Sequence, residues 1–388
     1  MKIALCQINP IIGDFDHNAS LILEWSERAR NLGCSLAVFP ELSLIGYPPK
    51  DLLERPSFIR ENLRRLDLLA KEVTSIAVLC GYVDRNLSST GKPLLNSVAL
   101  LREGKIAGRG GKRLLPAYDV FDETRYFEPA PLGLVFEMEG RRIGVTICED
   151  IWNVGDFEGI QRYDTDPVSD LMRQDVEILV NLSASPYTLH KRSVRKGIME
   201  KLATQYGVPT IYCNQVGGND DVLFDGASMV VDSRGNLVLM GKEFEEDLLT
   251  WDSTQPYSPL KEAFQPDEES ILKGLVMGTR DYLRKCGFDK AIVGLSGGID
   301  SSLVAVVAER ALGADKVMGV SMPSPYTSQM SREDAATLAR NLGIDFQEIP
   351  ISSIYKAFTD ALSPAFKGLQ ENETEENLQA RIRGTLLM

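Results

Sequence analysis

Two α/β domains are expected of this chain, and three observations carry that expectation. Short apolar runs with the length of strands recur from the N-terminus, with helical spacing of apolar residues between several of them. The 388 residues exceed what one hydrophobic core commonly serves. Near Trp251 the pattern breaks into a polar, proline-bearing stretch, Ser253-Thr-Gln-Pro-Tyr-Ser-Pro259, after which a new helix and strand begin.

Residues 2–8 carry one charge and then the alternation of a strand. Residues 18–32 and 57–73 space their apolar side chains as helices do. Strand-like runs follow at 35–39, 76–83, 97–101, 142–147, 176–182, 210–214, 227–232 and 237–240. Glu139-Gly140 and Ser233-Arg-Gly-Asn236 read as hairpin turns between strands. Residues 1–255 are therefore expected to form the first domain, 256–269 a linker and 270–388 the second domain. In the second, a helix from Ser270 leads to an apolar strand at 291–295, and an alanine-rich helix covers 303–312. No internal repeat is visible, and only Gln370–Glu376 approaches a low-complexity charge run.

A net charge of −13 argues against a general nucleic-acid partner. No apolar run approaches the ~20 residues that span a membrane. The opening residues lack the apolar core and cleavage site of a signal peptide, so a soluble cytoplasmic protein is expected. The six cysteines are scattered singly, with no Cys-x-x-Cys pair for zinc or redox chemistry, and five of them read as plain core residues.

Ala291-Ile-Val-Gly-Leu-Ser-Gly-Gly-Ile-Asp-Ser-Ser302 is the most informative stretch. A buried strand runs into a glycine turn and then a helix, whose free N–H groups and positive dipole end suit a phosphate. Gly297 and Gly298 let the backbone approach an anion. Ser296, Ser301 and Ser302 supply hydroxyls, and Asp300 supplies an oxygen ligand for magnesium. No lysine stands where a Walker loop requires one. A plain strand-to-helix turn would also use the glycines, but not the serines and the aspartate together. The segment resembles the pyrophosphate loop of the N-type ATP pyrophosphatases. That resemblance implies ATP and Mg2+, and a substrate activated by adenylation with release of pyrophosphate.

The first domain offers a second constellation. Phe39-Pro-Glu-Leu42, Gly111-Lys-Arg-Leu-Leu-Pro116 and Val145-Thr-Ile-Cys-Glu-Asp150 each follow a strand-like run, and in an open α/β sheet such ends face one crevice. A thiolate is a strong nucleophile, a neighbouring ammonium lowers its pKa, and a carboxylate can take the thiol proton. Read singly, Glu41 is a surface carboxylate, Lys112 a solvated cation and Cys148 a small core residue. Together and in this order they resemble the nitrilase or carbon–nitrogen hydrolase superfamily, over roughly the first 250 residues. The resemblance implies an α-β-β-α sandwich with Glu41 as general base, Lys112 as oxyanion stabiliser and Cys148 as nucleophile.

Further segments narrow the likeness. Tyr118-Asp-Val-Phe-Asp-Glu-Thr-Arg-Tyr-Phe127, Cys148-Glu-Asp-Ile-Trp152, Asn181-Leu-Ser-Ala-Ser-Pro186 and the glycine-rich stretch 217–226 resemble the glutaminase domain of glutamine-dependent NAD synthetases. That family places Tyr118, Glu123, Ser185 and Lys191 near glutamine. By charge, Lys191 suits the substrate carboxylate, and Glu123 would orient Lys112 or the amide nitrogen. For Tyr118 and Ser185 a packing or capping role stands beside the binding one, and the Asn-Asp-Asp run at 219–221 also reads as a polar surface loop.

In the second domain, Met322-Pro-Ser-Pro-Tyr-Thr-Ser-Gln329, Ser331-Arg-Glu-Asp-Ala335 and residues 374–384 resemble segments of the same synthetases, within a partial Rossmann-like parallel sheet. Ser331 also reads as an ordinary helix cap, and Thr374 as the cap of the last helix. Arg381 is the expected phosphate contact of that helix. Synthetases of this type continue well beyond Met388, so the expectation is an intact glutaminase beside a synthetase domain that is deficient alone.

The resemblance as a whole implies an enzyme that amidates deamido-NAD with ammonia from glutamine through an adenylate. Ammonia would pass within the protein, which implies a homo-oligomer. The alternatives are an amidotransferase for another carboxylate, glutaminase activity only, and a non-catalytic nucleotide-binding scaffold.

Overall fold

The structure is a computed structural model that describes residues 1–153, 163–261, 264–367 and 373–388. Part of the charge run, residues 370–372, and part of the expected linker, residues 262–263, lie outside the described residues. The chain divides into two compact units, Met1–Gly274 and Leu275–Met388.

The first unit opens with β1 (Lys2–Gln7), α1 (Phe15–Asn31), β2 (Leu36–Val38), α2 (Pro56–Glu72), β3 (Ala77–Arg85), β4 (Leu94–Arg102) and β5 (Lys105–Gly111). A short α3 (Glu123–Tyr126) leads to β6 (Leu134–Met138), β7 (Arg141–Ile147), α4 (Pro167–Met172), β8 (Ile178–Ser183), α5 (Lys191–Tyr206) and β9 (Thr210–Asn214). Five strands close the unit: β10 (Val216–Asn219), β11 (Val222–Asp225), β12 (Met229–Val231), β13 (Leu237–Met240) and β14 (Asp247–Asp252).

Two six-stranded sheets result, in the orders β14-β1-β2-β3-β4-β5 and β13-β12-β9-β8-β7-β6. Strands β1, β2 and β3 are mutually parallel, as are β7, β8 and β9. The period-2 alternation of side chains explains the layering. Ile3, Leu5, Val38, Leu79 and Val98 point into one core with Val145, Val180 and Ile211 of the other sheet. Their neighbours Ala4, Cys6, Ala37 and Cys80 face Ile22 and Trp25 of α1 and Leu66 and Leu69 of α2. On the far side, Leu179, Tyr212 and Met229 face Leu171 of α4 and Met199 and Leu202 of α5. The layers are helix, sheet, sheet, helix, as the resemblance implied. Both faces of each central strand are buried, which is why those strands read as nearly continuous apolar runs.

Strands β5 and β14 gave no apolar run in the sequence. β5, Lys-Ile-Ala-Gly-Arg-Gly-Gly, is half exposed and glycine-rich, and β14 is an edge strand of intermediate burial. Cys286 departs from the reading of five core cysteines. It lies just past the C-terminal end of a helix and is exposed, whereas Cys6, Cys34, Cys80, Cys148 and Cys213 are buried.

The second unit takes up α6 (Asp267–Lys285) from Leu275 onward, then β15 (Ala291–Gly294), α7 (Ile299–Leu312), β16 (Val317–Ser321), α8 (Gln329–Leu342), β17 (Asp345–Glu348), α9 (Ser352–Leu362) and α10 (Glu373–Leu387). Its three strands are parallel, in the order β15-β16-β17. Val293, Leu295, Ala305, Ala308, Val317 and Ala339 form its core. The first turns of α6 belong to the first unit: Tyr187 and Ser270 share a hydroxyl hydrogen bond of 2.9 Å, and Arg192 pairs with Asp267 at 3.0 Å. Among the described residues no helix is long and apolar enough to cross a membrane.

Candidate active site

In the first unit the sequence-singled residues stand at strand ends on one rim of the sandwich. Glu41 follows β2, Lys112 follows β5, Cys148 follows β7 and Ser185 follows β8. The turn carrying Glu41 passes directly over β3, where a Cβ on Gly81 would lie 2.2 Å from the Leu42 nitrogen. Only glycine permits that approach.

Lys112 is buried, and its ammonium donates to Glu41 Oε1 at 2.8 Å and to Glu123 Oε1 at 2.7 Å. Burial alone would pull its pKa down, but the carboxylates of Glu123 and Glu41 hold it well above the usual lysine value. Glu41 Oε1 also accepts from Asn96 Nδ2 at 2.7 Å, and its Oε2 accepts from the Ala184 N–H at 2.9 Å. Glu123 Oε1 takes a further bond from the Tyr47 hydroxyl at 2.8 Å. Burial pushes the Glu123 carboxyl up to about 7, against the lowering effect of Lys112.

Cys148 is 2% exposed and adopts φ +44°, the left-handed region that a non-glycine residue occupies at a cost. Its carbonyl accepts from Asn181 Nδ2 at 3.4 Å. Lys112 lowers the thiol pKa as expected, but it does not decide the net shift. Burial raises it first, Glu41 raises it further, and the opposing effect of Lys112 leaves the thiol well above its ordinary value. The Cys148 group therefore rests as a neutral thiol, and Glu41 is the carboxylate with the largest electrostatic effect on it.

The residues expected near glutamine lie around this centre. Tyr118 donates to Glu149 Oε1 and Oε2 at 2.9 and 3.0 Å, and Tyr163 donates to the same carboxylate at 2.9 Å. Ser185 is buried; its Oγ accepts from Arg195 Nε at 3.2 Å, and Arg195 also pairs with Asp225 at 2.8 Å. Lys191 opens α5, with Nζ 5.2 Å from the Phe121 ring centre and 5.5 Å from that of Trp152. It has no carboxylate within ion-pair distance among the described residues. Burial, and then Arg195, lower its pKa. A desolvated ammonium on aromatic faces is a site for an anion.

Sequence reasoning missed Tyr47, Asn96, Glu149 and Asp150. Asn96 had a signal, a polar residue inside the apolar run of β4. Glu149 and Asp150 had one too, as consecutive acids immediately after the nucleophile. The Asp220 and Asp221 carboxylates are a surface feature, paired with exposed Lys50 at 2.6 and 3.0 Å. A cavity of about 550 Å³ is lined by Arg141, Ile178, Pro209 and Trp251 near the start of β7, β8 and β9, the opposite end of those strands from Cys148.

In the second unit the loop closes on itself. Ser296 Oγ and Ser301 Oγ are 3.0 Å apart, the Gly298 N–H donates to Ser296 Oγ at 3.2 Å, and Ser302 Oγ donates to the Gly298 carbonyl at 2.9 Å. Gly297 has φ +82°, and a Cβ there would lie 2.2 Å from the Ser331 carbonyl oxygen. Gly298 caps α7 without a side-chain acceptor, which leaves first-turn N–H groups for a ligand. Asp300 is exposed in that turn. Ser331 lies inside α8, and the cap is Ser328, whose Oγ accepts from the Ser331 N–H at 3.1 Å. Arg381 is exposed on α10 and donates to the Asn377 carbonyl at 3.3 Å. Among the described residues no hydrogen bond or ion pair joins it to the loop. α10 reaches the strand before the loop through Leu387, whose Cδ1 would meet a Cβ on Gly294 at 3.5 Å.

Comparisons with known proteins agree with this geometry. The carbon–nitrogen hydrolase family model matches residues 2–257, and the NAD synthase family model matches residues 271–388. The glutamine-dependent NAD(+) synthetase of Synechocystis sp. is 47% identical over 395 residues, covering 100% of this chain and 71% of that protein. The solved structure of glutamine-dependent NAD+ synthetase from Acinetobacter baumannii, in complex with adenosine diphosphate, superposes with a TM-score of 0.91 at 41% identity. It covers 100% of this chain and 72% of that one. An amidase from Nesterenkonia sp. shares the sandwich fold, with a TM-score of 0.53 at 23% identity, over 64% of this chain and 89% of its own. The chain therefore belongs to the glutamine-dependent NAD(+) synthetases, with a carbon–nitrogen hydrolase region followed by an NAD synthase region.

Proposed function

We propose that the protein hydrolyses glutamine in its first unit and uses the ammonia to amidate deamido-NAD at the nucleotide loop of the second, with ATP as the activating substrate. The observation that carries this reading is the buried Glu41–Lys112–Glu123 ion cluster beside the Cys148 thiol, in one chain with a lysine-free serine–glycine phosphate loop.

Glutamine is a zwitterion with an amide, and the site offers a group for each part. Lys191 faces the α-carboxylate, and Glu149, held by Tyr118 and Tyr163, faces the α-ammonium. Ser185 lines the pocket wall. Glu41 takes the Cys148 proton as the sulfur attacks the amide carbon. Lys112 donates to the oxygen that gains the negative charge. The C–N bond then breaks, the proton held by Glu41 leaves with the nitrogen as ammonia, and water cleaves the thioester to glutamate. A neutral resting thiol protects the site from stray electrophiles until the substrate is in place.

In the second unit the Ser296, Ser301 and Ser302 hydroxyls and the N–H groups of Gly297 and Gly298 face the ATP phosphates, and Arg381 adds charge from α10. The carboxylate of deamido-NAD attacks the α-phosphorus and releases pyrophosphate. Ammonia displaces AMP from the adenylate. Asp300 is the carboxylate for Mg2+, and no group of three or more ligating side chains gathers among the described residues. A lone carboxylate fits this ion, which completes its shell with water and phosphate oxygens. When bound it neutralises phosphate charge. The reading includes a homo-oligomer in the cytoplasm, tested by sedimentation.

The deciding experiment incubates the chain with amide-¹⁵N glutamine, MgATP and deamido-NAD and follows glutamate and NAD by mass spectrometry. Label in NAD bears out both halves of the reading. Glutamate with no NAD restricts the reading to a glutaminase, and neither product overturns it.

A further inference from the structure

Lys112 and Cys148 belong to different sheets. Lys112 ends β5, the edge strand of the first sheet, and Cys148 follows β7 of the second. Among the described residues no ladder hydrogen bond joins the two sheets, so strand pairing does not set the distance between ammonium and thiol. Besides Glu41, which accepts from Lys112 and from the Ala184 N–H after β8, a second buried side chain spans the gap. Asp150 Oδ1 accepts from the N–H groups of Arg113 at 2.8 Å and Leu114 at 2.9 Å, and its Oδ2 accepts from the N–H of Ile147 at 3.0 Å. Those N–H groups belong to the two residues after Lys112 and to the residue before Cys148. Arg113 and Leu114 lie outside any strand, so these are bonds the sheet does not supply.

Asp150 has no ion-pair partner among the described residues, and it is 2% exposed. Burial pushes its carboxyl up to about 6, while the three backbone bonds draw it down, so it is ionised at neutral pH. Keeping a buried anion on backbone donors alone is costly unless its geometry does something. The left-handed backbone of Cys148 supplies a reason: a residue at φ +44° relaxes unless its neighbours hold it, and Asp150 holds Ile147.

We infer that Asp150 is a positioning residue, whose carboxylate ties the chain after Lys112 to the chain before Cys148 and so places the ammonium against the oxygen that gains charge. This inference rests on the glutaminase reading of the first unit. The Asp150 carboxylate is spent on backbone N–H groups, so its loss is expected to slow the chemical step and leave substrate binding in place.

The test is Asp150→Asn in the full chain. The amide keeps the shape, but its NH2 end can only donate, so at least one of the three N–H groups meets a donor. The kcat for glutamine hydrolysis is expected to fall about ten- to a hundred-fold. The KM stays within about threefold, because Lys191 and Tyr118 are untouched. A lowered melting temperature with kcat unchanged overturns the inference, as does a rise in KM with kcat unchanged. Amide hydrogen exchange in the wild-type protein reads the clamp without any variant. Arg113 and Leu114 are expected to exchange as slowly as the amides of β8, and rapid exchange at both overturns the inference. If wild-type protein hydrolyses no glutamine, the proposed function fails, while the exchange result still reports on the clamp.

Discussion

Lys112 and Glu41 are 71 positions apart in the chain, yet Nζ lies 2.8 Å from Oε1 with neither side chain exposed. Glu123 holds the other side of the same ammonium at 2.7 Å. One buried cation between two carboxylates balances their charge, and in the proposed reaction it is also the donor for the reacting oxygen.

Lys112→Met removes both services. Two carboxylates lose their counter-ion, and breaking such a buried pair costs about 3–5 kcal/mol. Glutamine hydrolysis is expected to fall by about 10²–10³, the usual loss for one oxyanion donor. Denaturant melts and a glutamate assay read the two effects separately. A variant of unchanged stability and rate would remove Lys112 from the site.

The pH dependence of stability carries the signature of Glu123. Its folded pKa is raised to about 7 from an ordinary value of 4.5, so between those values the folded state binds the extra proton. Stability from this group is present below pH 4.5 and is lost as pH rises toward 7, by about 1.4 kcal/mol per pH unit. Glu123→Gln removes that slope. Urea melts at pH 5, 6 and 7 should show wild type losing more stability across the series than the variant.

Lys191 stands on the Phe121 and Trp152 rings with no carboxylate beside it among the described residues. Lys191→Met keeps the apolar stem and removes the charge. The KM for glutamine should rise by about ten- to a hundred-fold with a smaller change in kcat, the pattern of lost ground-state binding. Simple primary amides that lack an α-carboxylate should be hydrolysed equally by both proteins.

Gly297→Ala places a Cβ 2.2 Å from the Ser331 carbonyl oxygen at φ +82°. Neither the backbone of α8 nor the torsion can yield cheaply, so the phosphate loop moves. Titration calorimetry should show MgATP affinity falling by at least about tenfold, the equivalent of 1.4 kcal/mol. Affinity equal to wild type would mean that the loop does not hold the phosphates.

The nucleotide loop could be read from the chain because its geometry is local. Ser296, Gly298, Ser301 and Ser302 close their hydrogen bonds within seven consecutive residues, so composition and order nearly specify the turn. The α/β alternation was also legible, since strands buried on both faces leave unbroken apolar runs, while the sandwich was implied by the family resemblance. β5 was not, although it delivers Lys112, because an exposed glycine-rich edge strand leaves no such run.

The amino-acid order by itself determined which groups are present: a carboxylate, an ammonium and a thiol in three separate segments, and a serine–glycine loop before a helix. The tertiary structure alone decided what those groups are. Tyr47 and Asn96 reach the cluster only through strand pairing and loop crossing, and Asp150 does so across two sheets. It also decided the sign of the Cys148 shift, where proximity to lysine suggested a thiolate and the folded chain holds a neutral thiol. The physical reason is that a pKa is set by distance and desolvation. Both depend on how the chain is packed in space, and the linear order of residues specifies neither.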